Sequence, residues 1–264
     1  MTSLGSSRAF RWVMAVLVGG GALLPLASTF VYTLRDGDAG GMSAVHWLAL
    51  FDPARAYLYK PIWTGLGNSL LLAVLTVVLV LVLLAPTMVL VTLRFPNLRR
   101  SFEFLVLLPI SIPAIVLVVG FAPIYRTIGR TLGTGAWTLV FAYGITVLPF
   151  AFRSIQASLD AIDARTLAEA ARSLGASWFD VLVRVLVPNL RTGLLAASLI
   201  TTAVVLGEFT IASLLNRQVL QTAMLVVSRS DGFAPAIFTL LSLAFAFGLL
   251  IVIGRLGRSA GRRS

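Results

Sequence analysis

Long stretches without charge constrain this chain more than any other feature. No Asp, Glu, Lys or Arg follows Arg11 until Arg35, Lys60 until Arg94, Glu103 until Arg126, Arg130 until Arg153, or Asp231 until Arg255. Within 192–216 only Glu208 intervenes. A hydrocarbon core about 30 Å thick is crossed by about 20 apolar residues in a helix, so each window can cross once. The runs are continuously apolar rather than alternating, which argues for helices over a β-barrel. The expected fold is therefore an all-α membrane protein with six spans, at 12–34, 67–93, 104–124, 134–152, 192–214 and 235–254, in a single domain over 1–264. The window after Lys60 is longer than one crossing needs, so 61–67 is read as loop or interfacial segment. Pro86, Pro109, Pro113 and Pro149 fall within or at the ends of spans, where neighbouring helices can satisfy the freed carbonyls.

Composition agrees. Of 264 residues, 58% are hydrophobic and 12% charged, and the mean hydropathy is +0.96. The net charge of +11 does not mark a nucleic-acid binder, because the arginines sit in short breaks between apolar runs and form no basic face. They read as topological markers. With the N-terminus inside, 14 basic residues fall on the inner side and 7 on the outer, Arg217 and Arg229 among the latter. That bias puts both termini in the cytoplasm of a cell with this protein in its inner membrane. Arg8 and Arg11 before an apolar run resemble a signal peptide. The run exceeds a usual h-region and five spans follow, so an uncleaved anchor is expected.

Little of the chain suits catalysis. There is no cysteine, and the one histidine, His46, has no cluster of ligands to make a metal site. The one lysine, Lys60, precedes Pro61 rather than Ser or Thr, so the chain carries no Walker-type ATP site. His46, Trp47 and Trp63 read as interfacial anchors. No catalytic residue, metal or cofactor is expected on this chain.

The inner loop 153–191 carries the most information. Thr166 and Glu169 fit a capping box at a helix start. Leu167, Ala170, Ala171 and Leu174 follow at helical spacing as one apolar stripe. Gly175 suits a left-handed helix terminus. Ser177 and Asp180 fit a second capping box, followed by a stripe of Trp178, Val181, Leu182 and Val185 that Pro188 stops. The expectation is two short amphipathic helices at a sharp bend. From pattern alone, their apolar faces could pack on the chain's own bundle or dock on a partner.

The run Glu169-Ala170-Ala171, three residues, Gly175, nine residues, Val185-Leu186-Val187-Pro188 resembles the EAA loop of binding-protein-dependent ABC importer permeases. Their pattern is Glu-Ala-Ala, three residues, Gly, nine residues, Ile-x-Leu-Pro. Val185 and Val187 depart mildly from it, and Thr192-Gly193 stands where Pro-Gly commonly follows. Leu108-Pro109-Ile110-Ser111-Ile112-Pro113 and Gly207-Glu208-Phe209 are similar to third- and fifth-span motifs of the spermidine/putrescine-type branch. The resemblance implies a type I permease without enzymatic activity. It implies two ATPase subunits that hold ATP and Mg, a second permease subunit, identical or homologous, and an external solute-binding protein. Glu169, Ala170, Ala171, Gly175 and Pro188 would then couple to the ATPase.

Glu208 and Pro113 are candidates for the translocation path. An acid inside a span is costly in hydrocarbon, so Glu208 should face water, another helix or the outer interface. Arg229 and Asp231 lie on the last outer loop, where solvent or a binding protein could meet them. The competing function is a secondary transporter or channel that needs no ATPase. No clear repeat between the halves supports it. Within the resemblance the cargo is polyamine-like, with phosphonate, ferric iron, thiamine or sulfate as the alternatives.

Overall fold

The computed structural model describes residues 8–36 and 41–261. Arg262 and Arg263, counted above on the inner side, lie outside the described residues. The regular structure is helical throughout, apart from an isolated bridge between Arg35 and Met42. In chain order the helices are α1 (Arg8–Thr33), α2 (Val45–Ala49), α3 (Ala56–Leu79), α4 (Ala85–Arg94), α5 (Arg99–Ser111), α6 (Ala114–Thr131), α7 (Val140–Ala161), α8 (Ala164–Ser173), α9 (Trp178–Asp180), α10 (Val187–Asn189), α11 (Arg191–Gly207), α12 (Thr210–Leu214), α13 (Leu220–Val227) and α14 (Phe233–Gly261). Among the described residues five helical stretches are long and apolar enough to cross a bilayer. A sixth arises if the pair Trp178–Asn189 and Arg191–Gly207, bent by 75°, counts as one.

Several expected spans differ in detail. The segment 61–67 is helical, not loop: Asp52 accepts from the Ala54 N–H to cap a 3-10 turn, and helix then continues across Pro53–Arg94. Gly65 allows this part of α3 to lie against α13, since a Cβ there would sit 2.7 Å from the Val219 carbonyl and 2.8 Å from Ala223 Cβ. The expected span 104–124 is broken where α5 ends. Ile112 is extended (φ −104°, ψ 123°) because the ring of Pro113 excludes helical geometry before it, and α6 begins beyond. The expected span 192–214 is broken at Glu208, itself extended (φ −77°, ψ 123°). The segment between Arg217 and Arg229, expected on the outer side, contains α13, whose Leu220, Ala223, Met224 and Val227 are buried.

Two stretches, Val80–Leu84 and Val181–Leu186, wind as π-helix, and each ends two residues before a proline, Pro86 and Pro188. A proline in a helix donates no hydrogen bond, and its ring collides with the carbonyl four residues back. Opening the preceding turn to wider spacing moves that carbonyl aside and lets the helix continue.

The chain forms two compact units. The first comprises Met1–Lys60 and Met224–Ala244. In it His46 stacks on Phe233 at 3.6 Å and Tyr32 stacks on the same ring at 4.8 Å, while the Trp47 indole donates to Thr33 Oγ1 at 3.2 Å. Asp231 takes a structural place here. It accepts from the Phe233 and Ala234 N–H groups at the start of α14 and from the Tyr59 hydroxyl at 2.7 Å.

The second unit comprises Pro61–Ala223 and Phe245–Ser264. Its core centres on α7, where Ala142, Tyr143, Val147, Ala151, Phe152, Ile155 and Leu159 are buried. Helix α11 packs on it through Gly193, Ala197, Thr201 and Val205, a stripe of mostly small residues every fourth position. Such stripes let backbones approach closely in lipid, where van der Waals contact rather than water exclusion drives packing. At Gly193 the approach is closest: a Cβ would overlap the Ser158 hydroxyl and lie 2.8 Å from the Ser154 carbonyl. The glycine of the degenerate Thr192-Gly193 pair is thus fixed by packing.

Candidate functional site

Most of the candidate site residues singled out by sequence fall at two corners of the second unit. The first is the elbow formed by α8, the turn at Gly175, α9 and α10. Helix α8 begins one turn earlier than expected. Its N-cap is Asp163, whose carboxylate accepts from the Thr166 N–H at 3.1 Å and the Thr166 hydroxyl at 2.6 Å. The Thr166–Glu169 capping box is therefore not formed. Asp is among the best N-caps, and starting there adds a hydrogen-bonded turn. The Thr166 bonds hold the Asp163 carboxyl below its ordinary value of 3.8. Glu169 instead accepts from Arg165 Nε at 2.9 Å, one turn back on the exposed surface.

The far end of α8 is as expected. Gly175 has φ +87°. Its N–H donates to the Arg172 carbonyl at 3.0 Å and the Ala176 N–H to the Ala171 carbonyl at 3.1 Å. These two bonds close the Schellman motif that satisfies the last free carbonyls of a helix. The capping box of Ser177 and Asp180 also forms, and the Ser177 bonds lower the Asp180 carboxyl from its ordinary value. Pro188 does not stop the second helix. The π turn before it absorbs the proline, helix continues through Asn189, and the 75° bend into α11 follows.

The apolar stripe of α8 differs from the expected one. Ala164 and Ala168 are buried and Leu167 and Ala171 half-buried, so the inward face is offset from the Leu167, Ala170, Ala171, Leu174 stripe. Ala170 is exposed, and Leu174 is 89% exposed. Phe179, 71% exposed, stands beyond the Gly175 turn. Glu169, Ala170, Leu174, Gly175 and Phe179 therefore lie on the open side of the elbow, while Ala171 faces inward. Periodicity gives the stripe's spacing but not which members pack on the chain itself; here Leu167 and Ala171 pack, while Ala170 and Leu174 stay open. Phe179 has no such pattern and carried no signal.

The second corner is the break between α11 and α12. The Glu208 carboxylate folds back to accept from the Ile211 N–H at 2.9 Å and the Ala212 N–H at 3.3 Å, so it caps α12. Helix α12 ends in a second Schellman motif, with Asn216 at φ 53° and bonds from the Asn216 N–H to Ser213 and from the Arg217 N–H to Ala212. Arg217, read from sequence as an outer-loop cation, is 9% exposed. It lies in the non-helical segment between α12 and α13 but is buried there. It interacts electrostatically with Tyr125, whose hydroxyl donates to the Thr138 carbonyl and accepts from the Ala142 N–H. Tyr125 in turn interacts with Tyr143, and Tyr143 with Glu208.

Tyr143 Oη and Arg217 Nε here, and Thr201 Oγ1 two turns earlier on α11, are buried and make no hydrogen bond within 3.5 Å, although Tyr143 lies close enough to Glu208 to interact with its carboxylate. Leaving such groups unpaired costs about 1–3 kcal/mol each, so they are the groups with most to gain from water or a polar solute. Sequence singled out Glu208 here but not Tyr143, Thr201 or the burial of Arg217. Pro113 is elsewhere. It precedes α6, twelve residues before Tyr125, a rise of about 18 Å along a helix. A separate groove of about 430 Å³ is lined by Leu79, Leu83, Phe102, Phe141, Gly144 and Thr87 among others. With one hydroxyl it offers nothing to a hydrated cation.

Both corners lie inside the stretch 90–258, which matches the model for the binding-protein-dependent transport system inner membrane component. The chain is also 26% identical over 227 residues to the spermidine/putrescine transport system permease protein PotB of Haemophilus influenzae, covering 78% of this chain and 75% of that protein. A capped, glycine-terminated elbow joined to a bundle of apolar helices, within a match of this extent, places the chain in the family of binding-protein-dependent transport system inner membrane components.

Proposed function

We propose that this protein is the permease subunit of an ATP-driven importer, and that its elbow receives a separate ATPase. The observation that carries the reading is the elbow itself. α8 is capped at Asp163, closed by the Schellman motif at Gly175, and leaves Glu169, Ala170 and Leu174 open on one side. A helix fixed at both ends moves as one body, which is what a lever between motor and bundle requires. On this reading the elbow and both termini are cytoplasmic, ATP and Mg bind on the ATPase dimer, and an external binding protein delivers cargo. A second permease subunit completes the path, which alternates between inward- and outward-open states. The cargo is a polyamine, as the name of the Haemophilus relative suggests, and the corner at Glu208 lies along its route. The Glu208 carboxylate with the Tyr143 hydroxyl beside it suits an amine that sheds water on entry, against the opposing charge of the buried Arg217.

The test is co-expression with the cognate ATPase and binding protein. The wild-type chain should retain the ATPase through purification and import labelled spermidine in proteoliposomes only with ATP. Import without nucleotide would instead support a secondary transporter, and tight binding of the partner binding protein to phosphonates or metal chelates but not polyamines would reassign the cargo.

A further inference from the structure

Trp178 opens α9 immediately after the Gly175 turn, and two guanidinium groups lie within cation–π range of its indole. Arg94 Cζ is 5.1 Å from the ring centroid and Arg172 Cζ is 5.3 Å. An aromatic face attracts a cation within about 6 Å, and tryptophan does so best. Both arginines come from places where motion would matter. Arg94 is the last residue of α4, the end of the helical run Pro53–Arg94. Arg172 lies in the last turn of α8 and also donates to the Ala176 carbonyl at 2.9 Å, which fixes it to the turn. The ion pairs among the described residues use Arg55, Arg99, Arg165 and Arg184, leaving the indole as the side-chain contact shown for Arg94.

The remaining grip of α8 on the bundle is weak in direction. Its inward face is Ala164, Ala168 and Ala171 with one Leu167. Small apolar surfaces approach closely but resist sliding poorly, because dispersion contacts are individually small and non-directional. We propose that Trp178 is a clamp that ties α8 to the end of α4, a positioning residue through which displacement of the elbow reaches the membrane helices. By this route a push on α8 passes through Arg172, the indole and Arg94 into α4, and onward to the π turn Val80–Leu84, the point in that helix already opened by Pro86. A second tie, Arg99 to Asp160 at 2.9 Å, holds the start of α5 to the end of α7 and bypasses the elbow. The proposal rests on the reading of the elbow as the ATPase's lever.

The test separates the clamp from that reading by measuring geometry and transport independently. The chain lacks cysteine, so Leu90→Cys on α4 and Ser173→Cys on α8 can carry spin labels. In the full-length chain the distance distribution should be narrow, broaden clearly in Trp178→Leu and Arg94→Gln, and stay narrow in Trp178→Phe and Arg94→Lys. Equal widths in all five overturn the clamp, whether or not an ATPase binds. Trp178 is 43% exposed and both arginines are exposed. In proteoliposomes with ATPase and binding protein, solute imported per ATP hydrolysed should fall about two- to fivefold in Trp178→Leu and Arg94→Gln, the factor that losing an exposed cation–π contact carries. Trp178→Phe and Arg94→Lys should largely retain it, with ATPase retention unchanged in every variant. Trp178→Phe falling as far as Trp178→Leu would overturn the proposal, since a ring face would then be irrelevant. Loss of ATPase binding by the wild type would overturn the functional reading and leave the distances to decide the clamp.

Discussion

The elbow at Gly175 and the broken span at Glu208 are built from the same parts. Each has a carboxylate capping a short helix, Asp163 or Glu208, and each ends in a Schellman motif on a left-handed residue, Gly175 or Asn216. They differ in what is left over. At the elbow the polar side chains are exposed and paired locally, as Arg165 with Glu169 and Arg184 with Asp180, and the unpartnered surface is apolar: Leu174 and Phe179. At the break the unpartnered groups are polar and buried: Tyr143, Thr201 and Arg217. An exposed apolar edge is satisfied by a protein surface, whereas buried unpaired hydroxyls are satisfied by water or a polar solute. On the proposed reading, identical backbone devices serve a docking corner and a path corner, and the side chains around them decide which.

The largest effect expected is at the elbow. Gly175→Asp should abolish uptake while the protein inserts at normal abundance. A Cβ at Gly175 meets nothing within 4 Å, but φ +87° strains any L side chain by about 1–2 kcal/mol, so it is insertion at normal abundance that assigns the loss of uptake to the surface a partner must cover. Normal uptake by this variant at normal abundance would remove Gly175 from the docking surface and erase the contrast with Asn216.

At the break, Glu208→Gln keeps the shape and removes the charge. Uptake efficiency with the cognate binding protein should fall about tenfold, as expected for losing a hydrogen bond to a charged group. Unchanged affinity and rate would reduce Glu208 to a helix cap. Tyr143→Phe and Thr201→Val should move stability and transport in opposite directions. Each removes an unpaired buried hydroxyl, which should stabilise the purified protein by about 1 kcal/mol, while uptake falls a few-fold as the path loses a polar group. A loss of thermal stability in both would show that these hydroxyls are already satisfied.

Smaller effects test the shared backbone. Asn216→Val places a β-branched residue at φ 53° and should destabilise by about 1–2 kcal/mol, whereas Asn216→Gly should change the melting temperature little. The smallest is a pH effect confined to the elbow. The Asp163 and Asp180 carboxyls are held below their ordinary value of 3.8, so their caps contribute fully above that value. The contribution is lost as pH falls through the lowered folded values. Amide protection factors in α8, that is exchange corrected for its intrinsic pH dependence, should therefore be flat from neutral pH down to about 4 and fall only below it. Loosening already near pH 6 would contradict the assigned caps.

Sequence determined the broad answer because lipid imposes it. Charge-free windows of sufficient length become helices wherever the backbone must bond to itself, so the helical class and most crossings were legible. The EAA spacing and the left-handed turn at Gly175 were equally local, since a few residues fix them. The tertiary structure decided matters of phase and partnership. Only the packed structure could show that Gly193 is a contact glycine against α7, that Leu174 stays open, or that Arg217 is buried. Only the fold could bring Arg94 to Trp178, more than eighty positions away. Spacing along a chain records which residues share a face of one helix, while which face meets a neighbour depends on contacts between segments that no local pattern encodes.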